Sequence, residues 1–150
     1  MEEKVIATFD ESLHRCDSNA RFLDIFYEKF MASSPEVQEK LAHTDFARQK
    51  RLLRASFYLI LLASEDEALG PERYLKYLAA RHGARGLKIG AHFYDLWLDS
   101  LLAAVKQCNT EYSSEVEAAW EDVMGVGIEY MLKHYHDAEP PPAMPDFDPA

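Results

Sequence analysis

The sequence predicts an all-α protein, and three observations predict it. Only two of its seven prolines, Pro35 and Pro71, fall in the first 139 residues, so the body holds few helix breakers. The first 69 residues contain no glycine, whereas a sandwich or barrel needs turn signals every roughly 8–12 residues. Apolar residues recur at spacings of three and four along most of the chain.

The elements follow in order. Thr8-Phe9-Asp10-Glu11 has capping-box spacing and opens a short helix over 8–16, followed by a turn at Asp17-Ser18-Asn19. Phe22, Leu23, Phe26, Tyr27 and Phe30 form the inner stripe of a helix over 20–32. Ser34-Pro35-Glu36 starts a short helix ending near Leu41: a serine cap, proline in the first turn, then an acid at the positive dipole end. Thr44-Asp45 caps a helix over 46–64, with Leu52, Leu53, Ser56, Phe57, Ile60 and Leu61 inside. Arg48, Lys50, Arg51 and Arg54 crowd its first half, and Glu65-Asp66-Glu67 closes it. Pro71-Glu72 starts a helix that reaches His82, where Gly83 offers a left-handed stop. A long helix covers 89–108. Ser114 with Glu117 reads as a second capping box, opening a last helix that runs to about 135. Val116, Trp120, Val123, Gly127 and Met131 line its packed side, where Gly125 and Gly127 let helices approach closely.

The totals bound the function. At 150 residues the chain is one domain's length, and 48% hydrophobic content is enough for a core. The expected division is a domain over 1–136 and an acidic, proline-rich, disordered tail over 137–150. Asp137, Glu139, Asp146 and Asp148 give that tail −4 of the net −10. The remaining −6 argues against broad binding to nucleic acid or anionic membrane, which needs clustered Lys and Arg. No apolar run approaches the roughly 18 residues of a membrane span. Met1-Glu2-Glu3-Lys4 lacks the parts of a signal peptide, which predicts a cytoplasmic protein. There Cys16 and Cys108 are expected to be free buried thiols.

Helices of such unequal length suit a globin-like sandwich better than a four-helix bundle, which wants matched helices. The residues then carry a resemblance. Phe26-Tyr27-Glu28-Lys29-Phe30 followed by Ser34-Pro35-Glu36-Val37 resembles the "FY-x-x-F … P-E" segment of bacterial globins and flavohaemoglobins. Asp45-Phe46-Ala47-Arg48-Gln49 with Leu52-Leu53 resembles the start of their distal helix, and Leu78-Ala79-Ala80-Arg81-His82 their "L-x-x-x-H" proximal segment. Tyr94 with Leu101-Leu102, and Ala119-Trp120, resemble the two helices that follow. The resemblance covers about residues 9–135.

It implies a globin fold around haem b, with His82 as the proximal iron ligand and the opposite axial position open to a gas. Tyr27 and Gln49 match the distal positions where such globins place hydrogen-bond donors for bound oxygen, and Leu53 matches the apolar residue beside the ligand. Tyr94, with Glu129, is a candidate relay to His82. In one respect the chain departs from the family. Six residues after the proline the family places a phenylalanine against the haem, and here that residue is Leu41, with Phe46 five residues later. Either Phe46 takes over that packing or the loop geometry differs. One or two of Arg48, Lys50, Arg51, Arg54, Arg81, Arg85 and Lys88 would pair with the haem propionates.

Each residue also has a plain reading. His82 suits the negative end of a helix dipole, Tyr27 a core, and Gln49 a solvated face. Three functions follow. The first is a haemoglobin binding O2, and NO or CO, at ferrous iron, with NO dioxygenation dependent on an external reductase because the chain has no room for flavin and NAD domains. The second is a bis-histidyl or sensing globin, with His43 or His92 as a second ligand, acting through a separate partner in electron transfer or signalling. The third is a haem-free interaction module. The oligomeric state is not legible.

Overall fold

The computed structural model describes residues 1–83 and 87–136; the acidic segment 137–150 and Arg85 lie outside them. Among the described residues there are seven helices and no strand: α1 Glu3–Asp17, α2 Phe22–Ser33, α3 Pro35–Lys40, α4 Phe46–Glu65, α5 Gly70–His82, α6 Ala91–Cys108 and α7 Ser114–Lys133. None is long and apolar enough to cross a membrane. The chain forms two compact units. One holds Met1, residues 45–91 and the chain from Val123. The other holds residues 2–44 and 92–122.

The second unit contains α1, α2, α3, α6 and the first half of α7. Trp120 is fully buried and receives the ring of Phe9 edge-on at 4.7 Å and that of Phe22 at 6.3 Å. Its indole N–H donates to Ser12 Oγ at 2.8 Å, so the largest core side chain leaves no polar atom unsatisfied. Phe26 stacks on Phe30 and meets Trp97 edge-on at 6.0 Å. Cys16 and Cys108 are buried free thiols, as expected. Ser34 caps α3 by accepting from the Glu36 N–H, also as expected.

Two helix starts differ from the sequence reading. α1 begins at Glu3, so Thr8 and Glu11 are helix-interior residues and form no cap. The acidic Glu2-Glu3 pair suits the positive end of the dipole and extends the helix by more than a turn. At α7 the capping serine is Ser113, whose Oγ accepts from Val116 N–H at 3.3 Å; Ser114 is already helical.

The first unit contains α4, α5 and the second half of α7. Asp45 caps α4 by accepting from the Arg48 N–H. α5 packs on α4, and a four-residue link joins them. Asp66 stabilises this link by accepting from the Ala68 and Leu69 amides. A Cβ on Gly70 would meet the Ala63 carbonyl, so only glycine lets α5 begin against α4. Gly127 lies against Ile60, where an added Cβ would come to 2.8 Å, so the expected close approach is real there. Gly125 has nothing within 4 Å of the equivalent point and makes no such approach.

Candidate functional site

The first unit holds four of the residues singled out by sequence. Phe46, Gln49 and Leu53 stand at i, i+3 and i+7 on α4, one face of the helix. Leu53 is buried; Phe46 and Gln49 are half-buried. Gln49 therefore does not lie on a solvated face: its neighbours on the wheel are Leu53 and Ile60, both core residues. Its side-chain amide takes no hydrogen-bond partner among the described residues.

His82 is the last residue of α5. Its Nδ1 lies 2.8 Å from the Leu78 carbonyl one turn back. A carbonyl only accepts, so Nδ1 carries the proton and Nε2 keeps its lone pair. Burial holds the imidazole below its ordinary pKa, outweighing the Leu78 bond, and Arg81 pushes in the same direction as burial. The product is a neutral imidazole in a fixed tautomer, the form that a metal ion requires. α5 packs on α4, so His82 and Gln49 belong to one packed helix pair.

The segment after His82 is fastened to the end of α5. Ile89 N–H donates to the His82 carbonyl at 2.8 Å and Lys88 N–H to the Gly83 carbonyl at 3.0 Å. Lys88 has φ 58°, a conformation that costs an ordinary side chain about 1 kcal/mol. Gly83 was expected to stop the helix in the left-handed conformation, but its φ is −80° and ψ −171°. It is glycine for another reason: a Cβ would stand 2.6 Å from the Tyr135 carbonyl. Glu129 is exposed. The acid that tyrosine reaches on this side is Glu72, which accepts from Tyr130 Oη at 2.7 Å.

The second unit holds Tyr27, Leu41 and Tyr94. Tyr27 is buried on α2, edge-on to Phe26 at 4.8 Å. Leu41 ends α3 and is half-buried. Tyr94 is buried on α6, and burial pushes its phenol well above the usual value. His43 is exposed in the turn after α3. His92 is exposed at the start of α6, 3.8 Å from Glu36. Among the described residues no group of three or more His, Cys, Asp or Glu side chains converges on a metal position.

No protein-family model and no curated protein matches the chain. A solved structure does: protein PA3967 of Pseudomonas aeruginosa PAO1, described as structurally highly homologous to a human haemoglobin. The two are 37% identical with a TM-score of 0.82, and the match covers 87% of this chain and 98% of that one. The chain belongs to the bacterial globin-like proteins. The globin arrangement expected from helix lengths and motifs is thus the fold, and in this globin-like protein His82 closes α5.

Proposed function

We propose that this globin-like protein binds haem b through His82 and uses it to bind a diatomic gas, O2 first, reversibly. The observation that carries the reading is the state of His82: neutral, oriented from Nδ1 by a backbone carbonyl, with Nε2 left basic at a helix end. That donor set fits the group. Haem, held by His82, would supply a ferrous iron able to bind the gas. Leu78 fixes the tautomer and the ring plane of the ligand. Gln49 offers an amide donor, and Leu53 and Phe46 give the same face an apolar lining. Tyr27 and Tyr94 belong to the other unit, and only the family resemblance connects them with this function. NO dioxygenation would need electrons from a separate reductase. The bis-histidyl reading is disfavoured because His43 is exposed.

The test is an absorption spectrum. Purified protein titrated with haemin is expected to give a Soret band at one equivalent, and a five-coordinate spectrum when reduced. His82→Ala should lose the band or require at least ~10-fold more haemin, the scale of losing a metal ligand's support. Protein that takes up no haemin while keeping its helical circular dichroism would leave the haem-free module as the function. A low-spin reduced spectrum would return the bis-histidyl reading.

A further inference from the structure

The carbonyls that close a helix have no donor within it. At the end of α5 one short segment supplies donors to three in a row. Leu87 N–H donates to the Arg81 carbonyl at 2.9 Å, Ile89 N–H to that of His82 at 2.8 Å, and Lys88 N–H to that of Gly83 at 3.0 Å. Lys88 is, among the described residues, the one non-glycine residue with a positive φ, 58°. Lys88 and Leu87 are both exposed, so burial does not hold them there. A strained residue persists only where its surroundings fix it, and here the backbone bonds do so. From another side the Tyr135 carbonyl closes on Gly83, where a Cβ would stand 2.6 Å from it. The bond from His82 Nδ1 to the Leu78 carbonyl spans the same last turn, so it lasts only while that turn stays helical.

We propose that residues 87–89 form a clasp, latched by the left-handed backbone of Lys88, that holds the last turn of α5 and so fixes the His82 ring as an iron ligand. Lys88 is a positioning residue, and it acts through its backbone rather than its ammonium. With the clasp closed, Nδ1 stays on Leu78 and Nε2 stays basic. With it open, the three carbonyls turn to water, the turn frays, and the ring loses its fixed tautomer. The consequence for iron rests on the haem reading above; the clasp itself is testable without haem.

Three substitutions at this exposed position set backbone against side chain, since all three remove the ammonium. Glycine adopts the left-handed conformation freely, alanine bears the penalty that lysine already bears, and β-branched valine resists it most. In the haem-free full chain at about pH 8, where an ordinary histidine is neutral, Lys88→Gly should slow hydrogen exchange of the Ile89 amide about two- to fivefold, the scale of the strain relieved. Lys88→Val should speed it at least ~5-fold, with Lys88→Ala between them. Nitrogen NMR of the His82 ring should show Nδ1 protonated in Lys88→Gly and the mixed tautomers of a free histidine in Lys88→Val. Haemin titration should follow the same order, with Lys88→Val weaker than Lys88→Gly by ~10-fold or more, the scale of losing a ligand's orienting bond. Equal losses in all three variants would assign the role to the ammonium and overturn the proposal. A His82 ring that keeps its tautomer in Lys88→Val while Ile89 exchange quickens overturns it too, because the clasp then does not reach the ring. If Lys88→Val does not fold, equal exchange in Lys88→Gly and Lys88→Ala overturns it. Protein that takes up no haemin defeats the haem reading, and the exchange and ring spectra still decide the clasp.

Discussion

Ser12 and Trp120 are 108 positions apart, yet the indole N–H of one rests on the hydroxyl of the other at 2.8 Å. Ser12→Ala removes the acceptor inside a fully buried site, and should cost about 1–2 kcal/mol in a urea melt. A change within about 0.3 kcal/mol would show that the bond adds nothing net. The thiols carry a second prediction. Burial, reinforced by neighbouring Cys108, lifts Cys16 from 9.0 to about 12. The folded state prefers the protonated thiol, so this contribution is complete below pH 9 and is lost as pH rises toward 12. At pH 8 the native Cys16 should react with a thiol reagent at least ~100-fold more slowly than in urea. Cys108, at the rim with Lys29 opposing its rise, should label first. Equal rates for both would sink this ordering. At this scale the sequence displayed His82 and its helix end, but neither the Ser12 acceptor nor the tautomer, since both depend on where a partner atom falls in space.

Helices were legible where a local signal decides them and less so where a distant contact does. Ser34 and Pro35 set the start of α3 within four residues of chain, and the structure places it there. Thr8 and Glu11 carry the same kind of signal but are overridden, because α1 continues backward to Glu3. The inward stripe of α4 was readable, and with it Gln49 should have been: its spacing to Leu53 puts it on the core face, whatever its charged neighbours suggest. Glycines show the limit most clearly. Gly125 and Gly127 look alike in sequence, and the structure separates them. Gly125→Ala meets nothing and should stabilise α7 by ~0.5–1 kcal/mol through helix propensity. Gly127→Ala drives a methyl against Ile60 and should cost about 1–3 kcal/mol. Ile60→Val in the same chain should recover part of that cost, because it deletes Cδ1, the nearest contact atom. Thermal melts of the three variants check it. The same sign for both alanines would mean that the α7 contact with Ile60 is not close.

Over the whole molecule the fold itself was legible, through helix lengths and motifs in order, while the division of charge was not. A net charge of −10 reads as a uniformly acidic protein. The structure shows instead that the excess belongs to the unit built from α1, α2, α3, α6 and the start of α7. Like charges at that density repel, and folding brings them closer than in the open chain. Salt screens exposed charges over roughly 10 Å at 0.1 M. Raising NaCl from ~0.02 to ~0.3 M should therefore raise the melting temperature by a few degrees, about 1 kcal/mol for a domain of this size. The gain should also be local. Hydrogen exchange should slow more in peptides from α1, α2 and α6 than in those from α4 and α5, where bases outnumber acids. Sulfate would blur the result by strengthening apolar burial everywhere, so the comparison uses chloride. If protection rises equally in both units, the salt effect is general and the sorting of charge has no energetic consequence.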